Sequence, residues 1–274
     1  MLRVYRLTLC LVLFGCVSLG ALATPRYVTA GGTITEIVFA LGAGKDVVAV
    51  DQSSSFPYEA TQKPMVGYYR DLAAEGVLSM TPTHLLAIEG VGRDNALKQI
   101  ESVGVKVTVF DKPKDVNELK LLVKSVGKEL GKVSEAETLV THIEASLPKK
   151  SLAKRGSAVY LLSAGERGIM AAGEETVPDL IFSYVGLENV ANTHSGFKAI
   201  NLEALVTMQP DYILLPSHVF AHSGGKEAFC KQTNLRLLSA VRECRVLLMD
   251  SLLSLGMTPR LSKAIQQVDQ FVGE

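Results

Sequence analysis

Apolar residues recur at helical spacing at Leu72, Val77 and Met80, Pro82 stops the run, and "HLLAI" (84–88) follows as an almost wholly apolar stretch. The same order returns 128 positions later, with Leu202, Leu205 and Met208, then Pro210, then "YILLP" (212–216). Each block predicts a short helix, a turn and a buried strand. Polar positions repeat as well: Glu75-x4-Met80-x-Pro82 matches Glu203-x4-Met208-x-Pro210. A weaker echo pairs "EIVFALGAGKDVVAV" (36–50) with "DLIFSYVGLENVANT" (179–193), at an offset of 143. The chain therefore reads as one design written twice. The two offsets differ by 15, so the first copy carries about that many extra residues between its blocks. The stretch 52–70 lies there and ends in the run Tyr68-Tyr69-Arg70.

Between the copies, "SEAETLVTHIEASL" (134–147) places Ala136, Leu139, Val140, Ile143 and Leu147 on one face. It predicts a helix of about four turns, with Ser134 as cap and Glu137 as its box partner. A last helix is expected after Gly256, capped by Thr258, with Pro259 in the first position and Leu261, Ile265, Val268, Phe271 and Val272 inward. Strands are expected at 105–110, 157–164 and 245–250. Strands alternating with helices argue an α/β chain with parallel sheets. The expected organisation is an N-terminal lobe (24–130), a connecting helix (131–150) and a C-terminal lobe (151–274), the final helix packing back on the first lobe. Ligands of such sheets sit at the carboxyl ends of the strands. Those ends can face each other across a cleft.

The start of the chain has a different character. Arg3 and Arg6 precede an uncharged apolar run (7–22) that closes as Ala21-Leu22-Ala23 before Thr24. A basic start, an apolar middle and small residues at −3 and −1 describe a signal peptide over 1–23 and hence a periplasmic protein. A retained anchor is the alternative, although the run is short for a span; Leu13-Phe14-Gly15-Cys16 distantly resembles a lipoprotein cleavage site, with Cys16 as the lipidated residue.

The full chain of 274 residues balances 28 basic against 28 acidic side chains. Losing Arg3 and Arg6 with the signal leaves 26 against 28, a net charge of −2 that argues against nucleic acid or an anionic membrane as partner. Of the four cysteines, Cys230 and Cys244 stay in the mature part, 14 positions apart. In an exported chain they are expected to form a disulfide, a metal pair or two free thiols being the alternatives.

Four stretches resemble one family: "TAGGTITEIVFALGAGKDVVAVDQSS" (29–54), "VGYYRDLAAEGVLSMTPTHLLA" (66–87), "GIMAAGEETVPDLIFSYVGLENV" (168–190) and "GFKAINLEALVTMQPDYILL" (196–215). The chain is similar to the helical-backbone periplasmic substrate-binding proteins of ABC importers (class III, cluster A, chelatase-like), and within them to the haem carriers of Gram-negative uptake systems. The first and third stretches are general to the class. Val66-Gly67-Tyr68-x-Arg70 points to haem, and the resemblance implies that Tyr68 is the axial ligand of ferric iron. Phenolate ligation of haem iron is an established mode. A phenol titrates near pH 10, so ionisation at neutral pH needs the metal and a nearby cation, and Arg70 is placed to be that cation. Tyr69 stands where the family commonly has an aliphatic residue, and can stack on the porphyrin or compete as ligand.

The far side of the cleft is less determined. Of the five histidines, His84 falls in a strand, His142 on the connecting helix and His194 in a loop. His218 and His222 follow "YILLP" and are candidate second ligands, solvated loop residues being the plainer reading. Relatives that use a histidine near "SAGERGIM" have no counterpart here; Met170 or Arg167 can approach that face, or the iron is five-coordinate. Arg93, Arg167 and Lys226 are candidate propionate partners. The resemblance implies that Glu75 and Glu203, at matching points of the repeat, dock on arginines of a dimeric permease served by its ATPase; two acidic helix starts favoured by the helix dipole are the alternative. No Gly-x-Ser-x-Gly elbow, His-Glu-x-x-His or Walker loop is present, so an enzyme is not expected. The expected function is capture of haem by a monomer and delivery to the permease, with a ferric siderophore or cobalamin as the alternative cargo. A connecting helix would allow only a modest lobe movement.

Overall fold

The computed structural model describes residues 24–165, 168–219, 224–231 and 233–273. The expected signal peptide and Cys16, as well as Arg167 and His222, lie outside the described residues.

The N-terminal half alternates strand and helix: β1 (Tyr27–Ala30), α1 (Gly32–Ala40), β2 (Val47–Val50), α2 (Tyr58–Thr61), α3 (Ala74–Leu78), β3 (His84–Ile88), α4 (Asp94–Ser102) and β4 (Lys106–Phe110). The four strands form a wholly parallel sheet in the order β2-β1-β3-β4. Both faces are covered, as a parallel sheet requires. Leu85 and Ala87 of β3 join Val77 and Ile100 on one face, whereas Leu86 and Ile88 join Ile34, Ile37 and Leu119 on the other. The period of two along a strand thus divides one apolar run between two cores.

The chain leaves this sheet through an antiparallel pair, α5 (Val116–Glu129) and α6 (Val133–Ser146). Asp115 caps α5 by accepting from the Glu118 N–H. The cap expected at Ser134 is not formed. The tight turn 130–132, closed by Lys132 N–H to Gly127 O at 2.6 Å, lets α6 begin at Val133, with Lys132 in the cap position. Ser134 is thereby drawn inside the helix, and Glu137 pairs with Lys124 of α5 at 3.1 Å.

The C-terminal half comprises β5 (Ser157–Gly165), β6 (Gly168–Ala172), α7 (Val177–Val185), β7 (Glu188–Asn189), β8 (Phe197–Ile200), α8 (Leu202–Met208), β9 (Tyr212–Pro216), α9 (Gly225–Cys230), α10 (Ser239–Arg242), β10 (Val246–Met249), α11 (Ser251–Leu255) and α12 (Leu261–Gly273). Its sheet runs β10-β9-β5-β6-β8, with β7 also on β5. Only β10, β9, β5 and β7 are parallel; β6 pairs antiparallel with β5 and with β8. The departure from the expected parallel sheet has a simple cause: two residues separate Gly165 from Gly168, far too few for a parallel crossover.

The repeat survives as backbone geometry. Thr81 and Gln209 stand at matching points, each directly before a proline, and both take the left-handed region (φ 47° and 41°). Gln209 caps α8 directly and Thr81 follows three residues after the end of α3; both redirect the chain into a strand. Cys230 and Cys244 are joined by a disulfide with Cα atoms 5.5 Å apart. Closing a loop of this length stabilises by about 3 kcal/mol in the chain-entropy account.

One apolar core passes through both halves. It joins Ile34, Leu86 and Phe110 to Val140 and Ile143 of α6, and to Tyr160, Phe182, Leu214, Leu261 and Ile265. At the junction the Tyr160 hydroxyl meets Ser254 Oγ at 2.7 Å. Helix α12 lies on α7 and α11 and touches α6. Thr258 caps it by accepting from the Arg260 N–H. The halves meet closely at Gly32, where an added Cβ would stand 2.6 Å from Leu252 Cδ1 of the C-terminal half, as well as 2.5 Å from Ser53 O of its own half.

Candidate ligand-binding site

At the carboxyl ends of β1 and β2 sits a buried carboxylate, Asp51, which is 1% exposed. Its Oδ1 accepts from Gly31 N–H (2.9 Å) and from the Ser54 hydroxyl (2.7 Å), and its Oδ2 from Ser53 N–H (2.9 Å) and Tyr69 N–H (3.3 Å). Buried hydroxyls continue the network from Ser54 to Thr35 (2.6 Å) and Thr29 (2.7 Å). A buried anion is tolerable because donors surround it. The network fixes the start and the end of the 52–70 insertion to one point of the sheet. Sequence reasoning did not single out Asp51; its only signal was an acid directly after an apolar strand.

The insertion leaves through Phe56 and a cis Pro57, forms α2, and returns beside β2. Val50 and Met65 form a parallel bridge, Val66 N–H donates to Val50 O, and Gln52 N–H donates to Gly67 O. Gly67 then takes φ 99°, a conformation that a side chain would strain. This turn delivers Tyr68 in extended conformation to the head of a 3-10 turn, Tyr69–Asp71. No regular helix begins at the tyrosines; α3 starts at Ala74.

The two phenols have different surroundings. Tyr69 is half-buried, packs against the core on both faces of the first sheet, and its hydroxyl accepts from Arg70 Nε at 2.9 Å. Tyr68 is 41% exposed and stands edge-on to Tyr69, ring centroids 5.0 Å apart. Tyr69 is the strut and Tyr68 the group presented. Partial burial, and then the neighbouring Tyr69, pushes the Tyr68 phenol above its usual range. Arg70 pulls it down by charge and hydrogen bonding without reversing the shift. Arg70 thus acts in the expected direction, but without a bound cation it does not offset burial, and the phenol of the ligand-free protein stays above its ordinary value.

Arg93, exposed at the cap position of α4, follows Gly92, whose N–H donates to Tyr69 O at 2.8 Å. It therefore stands beside the tyrosine loop. Lys112, just past β4, also belongs to this rim: burial and then repulsion by Arg70 lower its ammonium pKa, with Glu89 opposing.

On the C-terminal half, His218 lies exposed in the 3-10 turn Ser217–Val219 after β9, its Nδ1 2.8 Å from Ser251 Oγ at the start of α11. The next residue of α11 is Leu252, which meets Gly32, so His218 flanks the junction of the halves. Met170 is half-buried in β6, between Ser163 and Ala199. Lys226 is set apart from this group. Its Nζ lies 5.7 Å from the Phe271 ring, which packs on Tyr212, the first residue of β9, at the strand end opposite to His218. An aromatic face near the C-terminus of α12 has drawn the lysine away from the strand carboxyl ends. His84 stacks on Tyr27 at 5.3 Å and His194 Nε2 faces Ala171 O at 3.4 Å, which leaves both as packing residues. Glu75 and Glu203 are exposed in the first turns of α3 and α8. Among the described residues no cluster of three or more His, Cys, Asp or Glu could hold a metal ion, and no helix is long and apolar enough to cross a membrane.

Two strand-and-helix halves bridged by helices, with a loop site at the strand carboxyl ends, define a binding protein of the ABC-importer type. The family model "Periplasmic binding protein" matches residues 28–253, and the chain belongs to that family. Its members bind a ligand and pass it to a permease with its ATPase; they are not enzymes. The structure is similar to that of the periplasmic heme-binding protein RhuT from Roseiflexus sp. RS-1, with a TM-score of 0.82 and 29% identity, covering 91% of this chain and 98% of that one. Among curated relatives, the substrate-binding lipoprotein YvrC of Bacillus subtilis, described as an uncharacterized ABC transporter protein, is 25% identical over 87% of this chain and 76% of its own length. The vitamin B12-binding protein of Vibrio vulnificus is 24% identical over 94% of this chain and 93% of its own.

Proposed function

We propose that the protein captures ferric haem in the periplasm and hands it to an inner-membrane ABC permease. The observation that carries this reading is Tyr68: a phenol held out beside Arg70 and Arg93, on a loop riveted to buried Asp51. Ferric iron is a hard cation that a phenolate suits, and neighbouring guanidinium groups suit the carboxylates of haem. The likeness to a heme-binding protein over nine-tenths of the chain supports the same cargo.

In this reading Tyr68 is the axial ligand and Arg70 and Arg93 face the propionates. His218 and Met170 are the candidates on the opposite lobe. The lobes are residues 24–130 and 151–274, joined by the helical segment 131–150. The monomer docks through Glu75 and Glu203, one carboxylate per lobe, and a signal peptide over 1–23 exports it. The disulfide fits an oxidising compartment.

Cobalamin is the second reading, favoured by the curated relatives named for vitamin B12. Titration with hemin and with cyanocobalamin separates the two. Haem on Tyr68 gives a high-spin ferric spectrum with a charge-transfer band that Tyr68→Ala loses. An unchanged spectrum in that variant, or binding of cobalamin alone, rejects the assignment.

A further inference from the structure

Glu36 of α1 and Arg260, ahead of α12, are 224 positions apart and meet at the junction of the halves. Arg260 Nη2 donates to Glu36 Oε2 at 2.9 Å, with side chains 15% and 3% exposed. The guanidinium carbon also lies 3.6 Å from the centroid of the Phe56 ring, which belongs to the 52–70 insertion. One cation thus touches three parts of the molecule: the first helix, the last helix and the loop that carries Tyr68.

The bonding is incomplete in a specific way. Glu36 Oε1 and Arg260 Nε are both buried and have no hydrogen-bond partner. A guanidinium offers Nε–H and one Nη–H in parallel to the two oxygens of a carboxylate. Here one rung of that fork is made, and the two atoms left over are those that the second rung joins. Burial raises the Glu36 carboxyl pKa, although the hydrogen bond and charge of Arg260, and then the nearby Thr258 hydroxyl and Arg260 N–H, which approach the carboxyl without closing a well-formed bond, work against it. A buried pair of this kind is weak evidence for stability, since desolvation offsets the attraction. Position accounts for it better.

We propose that Arg260 is a positioning residue for the ligand loop, which by stacking on Phe56 and bonding Glu36 ties the 52–70 insertion to the C-terminal half and tightens that tie when the second rung of the fork closes. The role of 52–70 as ligand loop rests on the reading of Tyr68 above; the tie itself does not depend on the cargo. Arg260→Lys keeps the charge and loses the flat stack and the fork. Phe56→Leu loses the stack alone and leaves the buried pair intact, so it serves if the Arg260 variant does not fold.

Hydrogen exchange on ligand-free protein tests the tie. Amides of 53–70 are expected to exchange at least about tenfold faster in either variant, with the strands of both sheets unchanged. Equal exchange across 53–70, or acceleration spread over the whole chain, overturns the proposal. In protein that binds hemin, the variants release it faster with the absorption bands in place, because Tyr68 still holds the iron. Displaced bands or an unaltered release rate count against a positioning role. Failure of hemin to bind at all removes the haem reading, and the exchange result still decides on the tie.

Discussion

Asp51→Asn isolates the chemistry of the site from its shape. The side chains are nearly isosteric, but four donors converge on the two oxygens of Asp51 and an amide supplies only one acceptor. In the cheaper orientation the amide oxygen faces Ser53 and Tyr69, the NH2 faces Gly31 and Ser54, and the Ser54 hydroxyl turns to accept. Gly31 N–H then points at another donor inside the protein. An unsatisfied buried donor costs about 1–3 kcal/mol, and the remaining bonds lose the strength that a charged acceptor lends them. A loss of about 2–4 kcal/mol follows, which for a domain of this size lowers Tm by roughly 5–15 °C. The other orientation frees both Ser53 and Tyr69 N–H and costs more, so the amide is expected to take the first. Differential scanning calorimetry on the oxidised, ligand-free protein measures it. Hemin titration of the same variant is expected to show weaker binding, since Tyr69 N–H is one of the bonds that hold the tyrosine loop. A melting point within about 2 °C of the parent would mean a cost under 1 kcal/mol and would refute the hub.

Two further outcomes follow from the same geometry. The Tyr68 phenol is raised above its ordinary value in the free protein, so iron–phenolate binding must expel its proton; affinity for ferric haem then rises with pH, by about tenfold per unit while the phenol stays neutral. Calorimetric titration below pH 7 in buffers of different ionisation enthalpy should count about one proton released, and a count of zero would exclude the phenolate. Glu75→Lys and Glu203→Lys should each slow association with the permease several-fold, most at low salt, and leave hemin binding intact; association rates of the single and double variants that match the parent would remove both residues from the docking face.

Much of this architecture was legible because it rests on periodicity. The runs at 84–88 and 212–216 became strands, and the prolines after Met80 and Met208 marked helix ends. The difference between the two repeat offsets marks out the 52–70 stretch from sequence alone. Thr258 and Pro259 announced α12 through chemistry confined to three adjacent residues. What stayed hidden depends on partners remote in sequence. Asp51 resembles any acid after a strand until Gly31, Ser53, Ser54 and Tyr69 surround it. Glu36 reads as one polar position in an apolar helix, and only folding brings Arg260 across to it. The Ser134 motif misled because a tight turn between α5 and α6 overrode a local cap. Lys226 misled because position after a strand end does not say which way a long flexible side chain lies.

The apolar core that crosses from one sheet to the other has a consequence for how such a molecule can come apart. Two copies of an ancestral unit that merely touched could hinge open or survive separation. Here Ile34 and Leu86 share their interior with Phe182 and Leu261, so either copy alone would present a bare greasy wall to water. The two halves are therefore expected to melt together in one calorimetric transition, with movement left to the rim.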